Sequence, residues 1–262
     1  MHNFEFVKPS SIADAVAAMG HDGAQAFSGG QTLLPTMKQR LAEPSVLVSL
    51  SGIAEMKGVC RGDVGLHIGA ATPHAVVAAE AATHYPALAK LAGGIGDPAV
   101  RSRGTIGGSL ANNDPAACYP AAVLASGAQV MTNLRTIAAE DYFQGMFSTA
   151  LHEGEIITEV RFPIPERAAY VKFDQPASRF ALTAVFVAKF AGGVRVAVTG
   201  ASNNGVFRWT EGEAALSASF TPDAVRGLTV DAADMISDLH GTPAYRANLV
   251  RVLTARAVAA AM

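Results

Sequence analysis

The sequence predicts an α+β protein in two parts, and three observations predict it. Apolar runs such as 182–190 are of strand length and stop at glycine or charge. Two glycine-rich turns, Ser28-Gly29-Gly30-Gln31-Thr32 and Thr105-Ile106-Gly107-Gly108-Ser109, each close a short apolar segment and adjoin a helix start. The last third turns to antiparallel strand patterns followed by helical ones, which suits a sheet covered on one face by helices.

The elements follow in order. Residues 4–7 form a short strand before Pro9, and Ser10 and Ser11 cap a helix running to about Met19. Residues 24–27 form a strand that feeds the first glycine turn. A helix over 31–40 comes next, with Leu33, Leu34 and Met37 inward and Pro35 in its first turn, where a missing N–H costs little. With a strand at 46–50 this makes a β-α-β-like unit, although its glycines do not spell G-x-G-x-x-G. Residues 56–60 and 66–68 read as a hairpin around Arg61-Gly62-Asp63. Helices follow from Pro73 to about Glu80 and over 86–91, then a glycine-rich loop at 92–98 and a short helix at 99–103. Beyond the second turn come an alanine-rich helix at 116–125, a hairpin of 129–132 with 135–138, and a strand at 155–162. Pro163 and Pro165 end that strand, and the main boundary is placed there. Residues 1–165 form one domain, with subdomains of about 1–55 and 56–165, and residues 166–262 form the other. In the second domain, strands at 169–173, 182–190 and 194–200 precede helices near 211–216, 222–226 and 245–260.

Composition excludes several classes of function. The chain has 262 residues, 50% of them hydrophobic and 16% charged, with a mean hydropathy of +0.26. That is enough apolar material for a sizeable core and argues against disorder. No run approaches the roughly 20 apolar residues of a membrane span. No cationic, apolar leader opens the sequence, so a cytoplasmic location is expected. The net charge of −2, with no long charge run, gives no reason to expect nucleic acid as a partner. Cys60 and Cys118 are far apart and no C-x-x-C occurs, so this chain alone offers too few thiolates for an iron–sulfur cluster. The seven histidines lack metal-ligand spacing and read as surface or capping residues. There is no G-x-S-x-G, and no lysine follows the glycine turns as in a P-loop, which disfavours hydrolases and NTPases.

The two turns carry what chemistry can be read. Glycine lets successive N–H groups converge on one point with no Cβ in the way, a geometry suited to phosphate or pyrophosphate. Ser28, Thr32, Thr105 and Ser109 add hydroxyl donors. Asn112, Asn113 and Asp114 form a polar cluster in apolar sequence. Asp114 serves either as a turn former before Pro115 or as an acceptor for a ribose or ribityl hydroxyl. Arg101 and Arg103 are either counter-charges to a pyrophosphate or a solvated helix face, and Thr72 is either a helix cap or a cofactor contact. The residues themselves say diphosphate-like ligand and no metal, and do not identify the dinucleotide.

Longer stretches narrow this. Residues 28–35, SGGQTLLP, followed by Lys38-Gln39-Arg40, resemble the AGGQSLLP…R segment of the flavin-binding subunits of molybdenum hydroxylases. Residues 100–111, VRSRGTIGGSLA, resemble their VRNRGTIGGSLA, and Asp114-Pro115-Ala116-Ala117 matches their DPAA. The order of elements agrees over nearly the whole chain. The family includes the medium subunit of aerobic carbon monoxide dehydrogenase and the flavin domain of xanthine dehydrogenase.

The resemblance implies non-covalent FAD in a vanillyl-alcohol-oxidase (PCMH-type) fold, with two N-terminal α/β subdomains and a C-terminal antiparallel sheet packed with helices. It implies that Ser28, Gly29, Gly30, Gln31 and Thr32, with Thr105, Ile106, Gly107, Gly108 and Ser109, bind the pyrophosphate. Phe27, Leu33, Leu34 and Thr72 would lie along the cofactor, and Asp114 near it. Cys118 stands where many relatives have Asp, at a position expected near the ribityl chain. Residues 172–182 align with the region near the isoalloxazine. The resemblance further implies an electron-transfer subunit with no catalytic residue of its own. Its partners would be a small subunit with two [2Fe–2S] clusters and a large molybdopterin subunit, arranged as a dimer of heterotrimers. A stand-alone flavin reductase, similar to the UDP-N-acetyl-enolpyruvylglucosamine reductases, and a scaffold that has lost its flavin are the rival readings.

Overall fold

The computed structural model describes residues 1–262. It opens with β1 (Glu5–Val7), α1 (Ile12–Met19), β2 (Ala24–Phe27), α2 (Leu33–Lys38) and β3 (Val46–Ser49). These make a small parallel sheet in the order β1-β3-β2. The central strand β3 is buried along its whole length, because both of its faces are covered. Ser11 caps α1, accepting from the Asp14 N–H at 3.1 Å. The helix expected over 31–40 is shorter. Thr32 precedes it without a side-chain cap, and Arg40 leaves the helix in the left-handed region, with φ 60°.

The second layer holds β4 (Val59–Gly62), β5 (Gly65–Gly69), α3 (His74–Glu80), α4 (Pro86–Gly93), α5 (Pro98–Arg103), α6 (Ile106–Asn112), α7 (Tyr119–Ser126), β6 (Gln129–Thr132), β7 (Thr136–Ala138), α8 (Ala139–Tyr142), β8 (Phe143–Gly145), β9 (Ser148–Thr149) and β10 (Ile157–Phe162). Its antiparallel sheet runs β4-β5-β10-β6-β7. The first hairpin starts at Val59, later than expected, because Met56 is buried in a 3-10 turn. The second glycine pair lies inside α6, capped by the Thr105 hydroxyl, where the sequence predicted only a turn.

The third layer is a meander, β11 (Arg167–Asp174), β12 (Ala181–Phe190), β13 (Gly193–Ser202) and β14 (Gly205–Arg208), followed by α9 (Thr210–Ala218) and α10 (Pro243–Ala261). Alternation along β12 sends its two faces to two different cores. Val185 and Val187 join Leu249, Val250 and Leu253 of α10. Ala184, Phe186 and Ala188 join the larger core of the first two layers. There, Phe186 meets Tyr85 edge-on at 6.0 Å, and Tyr85 meets Phe162 at 6.4 Å. All eight residues of α7 are buried between the layers.

Candidate functional site: a glycine-walled cavity

The two turns meet. Ser28 Oγ, just past the end of β2, lies 2.9 Å from Thr105 Oγ1 at the start of α6. Gly29 is pressed against the other segment, and a Cβ there would stand 2.3 Å from the Arg103 carbonyl oxygen. Gly30 has φ +69°, which glycine adopts at no steric cost.

Their donors are not equivalent. The N–H groups of Gly29, Gly30, Gln31 and Thr32 have no acceptor within the protein, and the Gln31 amide turns back to the Gly29 carbonyl at 3.0 Å. Four successive donors without partners form an anion-binding concavity. At the second turn four of the five donors are already used. Ile106 N–H reaches Thr72 O at 3.3 Å and Gly107 N–H reaches Ala70 O at 2.9 Å. Gly108 N–H reaches Thr105 Oγ1 at 3.2 Å and Ser109 N–H reaches Thr105 O at 3.0 Å. The second turn thus supplies closeness more than free donors. A Cβ on Gly107 would stand 2.6 Å from that of Ala70, whereas one on Gly108 would meet only Thr105 Oγ1 at 3.1 Å and Ser28 Cβ at 3.9 Å. The open face of Gly108 looks into a cavity.

That cavity measures about 610 Å³, within the range of roughly 300–1,000 Å³ usual for cofactor sites. Its wall takes in Phe27 to Leu33, Thr105, Gly107 to Ser109, Asp114 and Cys118. Two residues expected along the cofactor, Thr72 and Leu34, and one expected at the pyrophosphate, Ile106, do not line it. Thr72 is fully buried, and its hydroxyl accepts from Gly58 N–H at 2.9 Å and lies 3.2 Å from Gly58 O, so it neither caps α3 nor faces the cavity. Ile106 points into the core. Leu34 packs beneath Gly30. Asp114 is a turn former, its Oδ1 accepting from Ala116 N–H at 2.8 Å, and the residue lines the cavity. Arg101 donates to Ile95 O and Gly96 O rather than into the wall, and Arg103 lies on the exposed end of α5.

Cys118 is buried on the cavity wall with the Tyr170 phenol beside it. Burial pushes the thiol up, and it pushes Tyr170 well above the ordinary phenol value. Both groups are therefore neutral at pH 7.

The sequence reading passed over several wall residues. His74, read as a surface or capping histidine, is only 5% exposed. Its Nδ1 has no partner, and burial, then the nearby Arg101 charge, pull its imidazole down to about 4. Glu155 also lines the cavity. Burial pushes its carboxyl up, but hydrogen bonds from Arg135, His152 N–H and Thr132 outweigh that and hold it at about 2. Phe147 stands at the cavity rim, 60% exposed and left-handed at φ 56°. Asn113 fixes it there by donating to Gly145 O and Ser148 O, both at 2.8 Å, and by accepting from Phe147 N–H at 3.0 Å. Ser178, Arg179 and Phe180 line the cavity from the third layer. The Asn112-Asn113-Asp114 cluster was the available signal for Phe147. Nothing local marked the others.

Residues 2–165 match the family model described as the FAD binding domain in molybdopterin dehydrogenase. The chain belongs to this family. It is 32% identical to the carbon monoxide dehydrogenase medium chain of Afipia carboxidovorans, over 98% of this chain and 96% of that one. It is 33% identical to the nicotine 6-hydroxylase medium subunit of Paenarthrobacter nicotinovorans, over 97% and 95%. The reconstituted carbon monoxide dehydrogenase from Oligotropha carboxidovorans superposes with a TM-score of 0.90 at 31% identity, over 99% and 98%. In this family member, FAD fits the residues present. N–H groups without partners line the cavity, and the face of Gly108 leaves room for an anion. No helix of the chain is long and apolar enough to cross a membrane.

Proposed function

We propose that the chain is the flavin-carrying electron-transfer subunit of a cytoplasmic molybdenum hydroxylase complex. In this reading a small partner with [2Fe–2S] clusters delivers electrons from a large molybdopterin subunit, and the flavin passes them to an external acceptor. The relatives are medium chains of such dehydrogenases. The observation that carries the reading is the row of four N–H groups without partners at Gly29–Thr32, on the wall of a cavity that Gly108 also lines.

The Gly29–Thr32 amides would hold the pyrophosphate, with the Ser28 and Thr32 hydroxyls beside them. Asp114 has one carboxylate oxygen free for a ribose or ribityl hydroxyl. Bound FAD supplies reversible two-electron chemistry that can be drawn on one electron at a time. The chain needs no acid or base for this. The wall groups Cys118 and His74, and Tyr170 behind Cys118, stay neutral at pH 7 and so add no charge of their own to the site. Residues 178–180 add wall from the third layer.

Purification tests this. A yellow chain, whose chromophore is released on denaturation, should bring down two further chains carrying iron and molybdenum, with a mass fitting a dimer of heterotrimers. A colourless chain that ignores added FAD refutes the flavin role. A yellow chain that turns over alone with a reductant and has no partners makes it a stand-alone reductase.

A further inference from the structure

Beside the cavity lies a second hollow of about 460 Å³ whose wall contains no hydrophobic residue. It opens between the glycine-rich segment 93–96, after α4, and the loop 174–179 joining β11 to β12. Gly96 and Arg179 line both hollows, so the two adjoin.

The groups that would repel an anion here are already tied. Lys172 Nζ donates to Gly94 O at 2.7 Å and Arg179 O at 2.9 Å, and pairs with Asp174 at 2.8 Å. Arg101 Nη1 donates to Ile95 O at 3.0 Å and Gly96 O at 2.9 Å. Two guanidiniums keep unused donors. Arg101 has Nε and Nη2 free, and Arg179 makes only one long contact, Nη1 to Gly96 O at 3.5 Å. Arg179 is nevertheless held in place, left-handed at φ 61°, with its N–H on Gln175 O at 2.8 Å. Two guanidiniums line the hollow beside one carboxylate that Lys172 already pairs, and the planar donor forks match carboxylate or phosphate oxygens.

We propose that this hollow admits the external electron acceptor, and that the acceptor is a small oxidant carrying at least two negative charges. The inference rests on the flavin reading above and adds the acceptor's chemical class and point of entry. With ferricyanide as the acceptor, two electrons pass from FADH₂ to two ferricyanide ions, leaving FAD and two ferrocyanide ions, and two protons go to water.

Ferrocyanide is the probe, because it cannot oxidise the flavin further. Calorimetric titration into the FAD-loaded chain at low ionic strength should show one site. Arg179→Gln should weaken it by roughly five- to tenfold, Arg179→Lys by less, and Arg101→Gln by a similar roughly five- to tenfold factor. In stopped flow, the rate of flavin reoxidation by ferricyanide, divided by the rate with neutral benzoquinone, should fall several-fold in both glutamine variants. If Arg101→Gln fails to fold, Arg179→Gln decides, since its guanidinium bears almost no structural load. Unchanged ferrocyanide binding or an unchanged rate ratio in Arg179→Gln overturns the proposal and leaves the flavin reading intact. A chain without FAD overturns both.

Discussion

Ser28 Oγ and Thr105 Oγ1 lie 2.9 Å apart across 77 positions of sequence, and this contact joins the parallel sheet to the helical layer at the cavity. Thr105 also caps α6 through Gly108 N–H. Ser28→Ala should cost about 1 kcal/mol and Thr105→Ala about 1–2 kcal/mol, because the second also removes a cap. A double-mutant cycle by urea unfolding should return a coupling of about 0.5–1.5 kcal/mol. Strict additivity would mean that the two hydroxyls do not support one another.

The glycines divide into two kinds, and substitution should separate them. Gly108→Val points its side chain at the cavity with one tight contact, 3.1 Å to Thr105 Oγ1, so the apoprotein should lose only about 1 kcal/mol while flavin absorbance per chain falls to near zero. Gly29→Ala would put a methyl group 2.3 Å from a backbone oxygen. It should lower stability by about 1–3 kcal/mol, whether or not flavin is added. Equal flavin content in the Gly108 variant and the parent would remove Gly108 from the pyrophosphate wall.

Glu155 should govern acid stability. Its folded value near 2 lies below the ordinary 4.5. The stabilisation it gives is therefore complete above 4.5 and lost as pH falls from about 4.5 toward 2. Glu155→Gln should cost about 2 kcal/mol at pH 7 and flatten the stability curve in that window. Chemical denaturation at a series of pH values reads both effects.

His74 works in a higher window. Its folded value of about 4 lies below the ordinary 6.5. The unfolded chain binds the proton more readily between those values, so stability should fall as pH drops from about 6.5 toward 4. His74→Gln should remove that slope, as followed by melting temperature against pH. A slope that survives the substitution would assign it to another group.

Much of this was legible in the sequence because it is local. The strand at 24–27, the Ser11 cap and the first glycine turn follow from neighbouring residues, and the structure has them. What failed was long-range. Thr72 has the look of a cap, but its hydroxyl is drawn to Gly58 across the β4–β5 hairpin. Gly107 and Gly108 read as a loop, yet Thr105 recruits them into a helix. His74 and Glu155 are buried by segments remote in sequence, so no spacing rule could have placed them on the wall. Four free donors stand at one turn and one, the Thr105 N–H, at the other; of the four used donors there, two go to Ala70 and Thr72, which stand outside both motifs, and two to Thr105 itself.

The seam between β13 and the cavity wall has a further consequence. Gly200 N–H donates to Pro115 O at 2.7 Å, and the Thr199 hydroxyl lies 2.8 Å from the carbonyls of both Pro115 and Ala117. With Phe186 packed on Tyr85, a chain cut after residue 165 would lose the support behind Cys118 and bare one side of α7. The stretch that family comparison recognises stops at 165, but the body that folds does not. Exchange of flavin modules between related subunits at that point would therefore break a single core, and graftable pieces should begin and end elsewhere.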